Sequence, residues 1–159
     1  MAVSPERFRE ALGHWASGVA IVTSRAGERV HGMTVSAFSS VSLDPPLVLV
    51  CADKTSDTYA VIAEAGCFAV NVLASEQQEL SNRFASEKDE HRRFVGLETR
   101  EAVTGAPLLH GCLAHLDCRL VATHDAGDHV IYVGRVEAVE EDAAREPLLY
   151  FQSGYRLLA

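Results

Sequence analysis

Gly32-Met33-Thr34-Val35-Ser36-Ala37-Phe38-Ser39-Ser40-Val41-Ser42-Leu43-Asp44-Pro45-Pro46 is the stretch whose reading decides the fold. Residues 34–41 alternate small polar and apolar side chains, which is the period of a strand. Asp44-Pro45-Pro46 then stops it, because proline cannot continue a ladder. A strand so rich in hydroxyls packs a core poorly. It lets a flat ligand come close to the backbone and supplies neutral hydrogen-bonding groups. The plainer reading is a strand whose Thr and Ser are its solvent-facing positions. The residues by themselves leave both open.

Strand-like segments extend to either side. Upstream, residues 19–23 are rich in β-branched side chains, Arg25-Ala26-Gly27-Glu28 forms a turn, and residues 29–32 return, which reads as a hairpin. Downstream, residues 47–52 are a short unbroken apolar run, expected to be a strand buried on both faces. Thr55 or Ser56 caps a helix reaching about Glu64 and ended by Gly66. Residues 68–73 form another strand. Leu80 and Phe84 sit at helical spacing within 76–85, and a charged helical segment is expected to follow to Arg93. After Gly105-Ala106-Pro107, long strands are expected at 112–123 and 129–139, joined by a turn at 125–128. A short strand at 148–151 precedes Gly154-Tyr155. At the N-terminus, Ser4 and Pro5 start a helix whose Phe8, Ala11, Leu12 and Trp15 form an apolar face expected to join the core, with Gly18 ending the segment.

Six or seven strands without regular strand–helix alternation exclude a doubly wound sheet. They predict a mainly β (α+β) fold, an antiparallel barrel with peripheral helices. The 159 residues read as one domain over 1–159. A net charge of −8 argues against nucleic acid or an anionic membrane surface as partner. The longest apolar run, residues 47–52, is far too short to span a bilayer. The first residues enter a charged helix pattern with no signal-peptide core, so the cytoplasm is the expected location. Cys51, Cys67, Cys112 and Cys118 lack CxxC spacing and read as reduced, buried small hydrophobes. There is no GxGxxG, P-loop, HExxH or GxSxG, and no His–carboxylate set at metal spacing.

Two further features carry chemistry. Lys54-Thr55-Ser56-Asp57-Thr58 opens a helix, whose free N–H groups and partial positive charge suit a phosphate. An ordinary capped helix with a surface lysine is the plainer alternative. His129 stands in a Gly127-Asp128-His129 turn.

Taken in order, Ser17-Gly18-Val19, Ile21-Val22-Thr23, the Gly32–Pro46 run, Phe68-Ala69-Val70-Asn71-Val72-Leu73 with Gln77 and Leu80-Ser81, Gly105-Ala106-Pro107-Leu108, Gly127-Asp128-His129 with Gly134, and Pro147-Leu148-Leu149-Tyr150 before Gly154-Tyr155 resemble the flavin reductase family that supplies two-component monooxygenases. The resemblance implies an FMN-binding split β-barrel, a homodimer with flavin near the dimer interface, FAD or FMN with NADH or NADPH as cofactors, and a separate flavin-dependent monooxygenase as partner through diffusible reduced flavin. It places Thr34, Val35 and Ser36 along the isoalloxazine, and the backbone from Thr34 to Phe38 at its negatively charged edge. Ser39, Ser40 and Ser42 fall along the ribityl chain and phosphate, and Lys54 and Ser56 beside the phosphate. Asn82, Arg83 and Phe84 close the site, Arg83 being equally readable as a surface residue of its helix. His129 stands at the nicotinamide, with Tyr155 near it. The rival readings are a flavin- or haem-binding electron-transfer module, and an oxidase of the pyridoxamine-phosphate type. The second calls for clustered basic residues, which the 14 Lys and Arg here do not supply on the expected strands.

Overall fold

A computed structural model describes residues 2–159. Ser4 accepts a hydrogen bond from the Arg7 N–H and starts α1 (Pro5–Leu12), which Gly13 ends. Then come β1 (Ser17–Gly18), β2 (Ala20–Ala26), β3 (Arg29–Val35), β4 (Phe38–Leu43) and β5 (Pro46–Asp53). Ser56 caps α2 (Asp57–Ala65), and Gly66 closes it in the left-handed conformation, φ 67°. Next are β6 (Cys67–Val72), α3 (Gln78–Ala85) and a 3-10 segment, Glu87–Arg92. The chain finishes with β7 (Thr99–Arg100), β8 (Leu108–Leu109), β9 (Ala114–Ala126), β10 (His129–Glu141), β11 (Leu149–Phe151) and β12 (Gly154–Arg156).

Seven strands form one antiparallel sheet in the order β3-β2-β6-β9-β10-β5-β4. Its two edges, β3 and β4, are consecutive in the chain and are joined by Ser36 and Ala37 alone. The sheet therefore curls until its ends meet, and it is open only along that seam. Inside the curl pack Val22, Val50, Phe68, Val70, Val130 and Tyr132, all buried, with Met33, Val35 and Phe38 against them from the two edges. This is a split β-barrel. A second apolar cluster (Val19, Ile21, Leu73, Phe84, Leu109, Leu148) fills the space outside β2.

Because both sides of β2 and β6 are covered, their residues are buried almost without alternation. Asn71 on β6 makes that burial tolerable for a polar group. Its Nδ2 donates to the Ile21 carbonyl at 2.9 Å and to Thr23 Oγ1 at 3.0 Å, and its Oδ1 accepts from the Leu109 N–H at 2.8 Å. Every polar atom of this amide is satisfied, and β2, β6 and β8 are fastened together.

Several expectations are corrected. Residues 34–41 are not one strand: the period-2 pattern runs unbroken across the seam, while the backbone passes from one edge of the sheet to the other. β5 alternates, with Val48, Val50 and Ala52 inward and Leu47, Leu49 and Cys51 half-exposed, so it is buried on one face only. The charged segment before Arg93 is helical as expected, in the tighter 3-10 form. The apolar face of the N-terminal helix is not core. α1 buries no residue, and Phe8, Leu12 and Trp15 are all exposed, Trp15 to 79%.

The four cysteines are free, three of them buried and Cys51 half-buried. Burial pushes the Cys112 thiol up to about 11 and the Cys118 thiol up to about 12. A brief pulse of N-ethylmaleimide at neutral pH is therefore expected to label Cys51 first and to leave Cys112 and Cys118 unmodified until the chain is unfolded. Mass mapping of the alkylated peptides checks this, and equal labelling of all four contradicts it.

Candidate functional site

At the seam, Ser36 and Ala37 belong to neither strand, and both are exposed. The Phe38 N–H is taken by the Ser36 carbonyl at 3.0 Å, and the Ala37 carbonyl accepts from the Cys51 N–H at 3.1 Å. Among the described residues, the N–H groups of Ser36 and Ala37 have no backbone partner. They are two adjacent donors left free where the barrel opens.

Three cavities meet there, and Ser36 lines all of them. The largest, about 560 Å³, lies between the end of α1 (Leu12) with Trp15 beyond it, the outer face of β4 and β5 (Ser39, Leu49, Cys51), and the end of β11 with its turn (Phe151, Gln152). A second, about 190 Å³, is walled by Thr34, Val35, Ser81, Tyr150 and Tyr155. A third, about 280 Å³, connects Trp15 and Gly18 with Phe38. Together they make one groove of the size that holds a flat organic ligand. Its walls mix apolar side chains with polar ones (Arg9, Ser17, Thr34, Ser39, Ser81, Gln152), and the seam adds the free backbone donors.

The second wall is rigid. Thr34 Oγ1 donates to the Ser81 carbonyl at 2.7 Å, tying β3 to α3. Tyr155 Oη shares a hydrogen bond with Ser81 Oγ at 2.7 Å and donates to Asn82 Oδ1 at 2.9 Å. Its ring meets that of Tyr150 edge to face, 5.4 Å between centroids.

His129 opens β10 opposite Asp53, the last residue of β5. Its Nδ1–H donates to the Asp128 carboxylate at 2.7 Å. A carboxylate only accepts, so this bond fixes the tautomer and leaves Nε2 free. The Asp53 carboxylate lies below the usual range, chiefly because it accepts the Thr55 N–H, then the Thr55 hydroxyl, with a smaller contribution from the charge of His129. His129 does not line the Ser36 groove. It stands on the same outer face, two residues beyond Ile131, which pairs with the groove residue Cys51. That is about 7 Å along the strand.

The remaining expected site residues divide sharply. Ser39 is in the groove. Ser40 and Ser42 run away from it toward the β4–β5 turn, Ser42 pairing with Leu47. Lys54 lies seven positions further along, roughly 20 Å at the rise of a strand. Within one chain, Ser42 and Lys54 therefore cannot hold the same phosphate. Ser56 spends its hydroxyl on its own helix: Oγ accepts from the Tyr59 N–H at 3.2 Å and donates to the Asp53 carbonyl at 2.8 Å. Lys54 reaches across to the β9–β10 turn. Arg83 points away from the groove and braces the 3-10 segment through the carbonyls of Arg92 and Val95. Phe84 is fully buried, 5.1 Å from the Phe94 ring and packed on Gly32, so it is a core residue. Tyr155 borders Ser36, and no described bond joins it to the turn of His129.

Sequence reasoning missed Trp15, Tyr150 and Ser81 as groove walls, and Asp128 as the partner of His129. The Gly-Asp-His triplet was the only local signal for the last. It also missed a grouping outside the groove: His31, Asp57 and Glu90 bring one ligand-type atom each within 4.8 Å of one another. They come from β3, α2 and the 3-10 segment, so no spacing reveals them. Asp57 is exposed, and the three residues line a cavity of about 490 Å³ with Glu87 and His91.

Residues 12–159 match the family described as flavin reductase like domain. The chain is 42% identical over 154 residues to the reductase subunit HsaB of a flavin-dependent monooxygenase from Rhodococcus jostii, covering 97% of this chain and 78% of the relative. It is 44% identical over 159 residues to an NADH-dependent flavin reductase of a Rhodococcus species, covering 98% and 88%. Among solved structures, the NADH:FAD oxidoreductase SgcE6 of Streptomyces globisporus, in complex with NAD and FAD fragments, superposes with a TM-score of 0.90 at 33% identity, covering 100% of this chain and 97% of that one.

Proposed function

Because the chain belongs to the flavin reductase like domain family, we propose that it is an NAD(P)H:flavin oxidoreductase that reduces FMN or FAD and supplies the reduced flavin to a separate monooxygenase. The observation that carries this reading is the pair of free N–H groups at Ser36 and Ala37, set in the wall of the groove. The residues present fit a flavin: a flat slot for the ring, and two fixed donors at its edge.

Bound together, flavin and nicotinamide supply the hydride transfer themselves. The protein's part is geometry and electrostatics. Thr34, Val35 and Ser36 would hold the ring, and the free Ser36 and Ala37 N–H groups would supply donors that stabilise the negative charge a reduced flavin carries. Trp15 and Phe151 line one side of the groove, and Tyr155, fixed by Ser81 and Asn82, borders the other. His129, its Nδ1 committed to Asp128, presents Nε2 to the nicotinamide carboxamide or its phosphate as a positioning residue. NADH is the donor supported by the names of the relatives.

The exposed Phe8 and Leu12 of α1, with Trp15 just beyond it, support a homodimer in which a second copy covers that face. No helix among the described residues is long and apolar enough to cross a membrane. Four reduced cysteines fit the cytoplasm. We take the whole chain as one working unit.

The direct test is absorbance loss of NADH and, separately, NADPH in air with FMN or FAD. Rapid oxidation with at least one pair is expected, and none with any pair moves the protein to the binding-module reading. The groove itself is tested by Ser36→Leu. The added side chain fills the slot from an exposed position, so flavin affinity is expected to fall at least about tenfold, equivalent to ~1.4 kcal/mol, with the melting temperature unchanged. Fluorescence titration with flavin reads this, and unaltered affinity places the flavin elsewhere.

A further inference from the structure

We propose that Lys54 is a positioning residue for the nicotinamide side of the reaction: it ties the β9–β10 turn to the end of β5 and so holds His129 in place, instead of binding the flavin phosphate. The inference rests on the reductase reading above, in which His129 faces the nicotinamide.

The turn needs an outside support. Its tip is in solvent, with the Asp125 side chain 82% exposed and that of Asp128 92%. No core side chain holds it, and Gly127, at φ 67°, adds no side chain of its own. Lys54 supplies three ties from one residue. Its backbone N–H donates to the Asp128 carbonyl at 3.1 Å. Its Nζ donates to the Gly127 carbonyl at 2.7 Å and forms an ion pair with the Asp125 carboxylate. These anchor points are Asp125, the next-to-last residue of β9, and both residues of the turn. His129 is the next residue, paired with Asp53 directly before Lys54. Loosening the turn therefore moves the imidazole and the Asp128 carboxylate that orients it.

Charge argues against the phosphate role at the same position. Asp53 and Asp57 lie within three residues of Lys54, and Asp125 and Asp128 lie on the turn it holds. Four carboxylates against one ammonium make a poor seat for a phosphate dianion. The charge of Lys54 is already answered by Asp125.

The experiment compares the wild type with Lys54→Met, Lys54→Arg, Asp125→Asn and the Lys54→Met/Asp125→Asn double variant, all as full chains. Steady-state kinetics give kcat and the KM for NADH, and fluorescence titration gives the flavin Kd. Lys54→Met is expected to raise the KM for NADH about 3- to 10-fold, the range of one or two partly exposed charge-assisted hydrogen bonds. Its kcat and flavin Kd stay within about twofold on the same basis. Asp125→Asn shifts the KM in the same direction by less. The double variant is no worse than Lys54→Met, because both changes remove one interaction. Lys54→Arg retains most of the wild-type KM.

If Lys54→Met weakens flavin binding while leaving the KM for NADH alone, Lys54 is a flavin ligand and the proposal is overturned. A normal KM in Asp125→Asn beside a raised one in Lys54→Met also overturns it. Asp125→Asn alters only an exposed turn, so the question stays open to test even where Lys54→Met folds poorly. A wild type that oxidises no nicotinamide overturns the reductase reading together with this role. Wild-type turnover with either contrary pattern overturns the role alone.

Discussion

Gly134→Val is expected to lower the melting temperature by about 6–12 °C or to leave the protein insoluble. The reason is space, since this glycine has no left-handed backbone angle. A Cβ at position 134 would lie 2.6 Å from Phe68 Cζ and 2.9 Å from Cys118 Cβ. Phe68 and Cys118 are both fully buried in the barrel interior. The ring therefore occupies the place where any other residue on β10 would put its first carbon. Overpacking of this kind costs about 1–3 kcal/mol and occasionally more. For a chain of this length, 3 kcal/mol corresponds to roughly 6–12 °C. Gly134→Ala should show a smaller loss of the same kind, and Phe68→Leu in the same chain should recover part of it by vacating the space. Thermal unfolding of the three variants reads this directly. A Gly134→Ala protein as stable as the wild type would show that Phe68 moves aside at no cost.

His129→Ala is expected to raise the KM for NADH about 10- to 100-fold, the equivalent of a hydrogen bond to a charged group at ~1.5–3 kcal/mol. Flavin affinity should change much less, because His129 lies outside the Ser36 groove and about 7 Å along the strand from Cys51. Asp128→Asn is a milder form of the same change, since it weakens the bond that sets the imidazole tautomer but leaves the ring present. Separate titrations with flavin and kinetics with NADH distinguish the two cofactors. A collapse of flavin binding in His129→Ala would move this residue to the flavin.

Much of the barrel is written in local pattern, and the failures have definite causes. The hairpins β2–β3 and β9–β10 are legible because their turns carry Gly27 and Gly127 between strands of β-branched residues. The α2 boundaries are legible because Ser56 and Gly66 are residues that cap helices for stated reasons. The seam is not legible. Ser36 and Ala37 keep the alternation of their neighbours, and period 2 says nothing about which edge of a sheet a strand joins. The stripe on α1 shows a face but not its cover, so Phe8, Leu12 and Trp15 read as core and turn out exposed.

The candidate site shows the same division. Thr34, Ser36 and Ser39 are legible as a hydroxyl-rich strand suited to a ligand, and they do line the groove. Phe84 is instructive: its spacing from Leu80 already marked it as an apolar helix position, and burial agrees with that reading over the role implied by resemblance. Lys54 stands beside a helix N-terminus in sequence, but its partners are residues 125–128, which no local pattern connects to it. The groove walls from Trp15 and Tyr150 lie far apart in the chain and meet only after the sheet has curled.

The central claim is that this groove brings a flavin and NADH together for hydride transfer. Anaerobic mixing of the protein with one equivalent of flavin and one of NADH, followed by rapid-scanning absorbance, tests it most directly. The account predicts that the oxidised flavin band bleaches in step with loss of the NADH band, one for one, and far faster than in the same mixture without protein. Tight flavin binding with no acceleration of bleaching would contradict it.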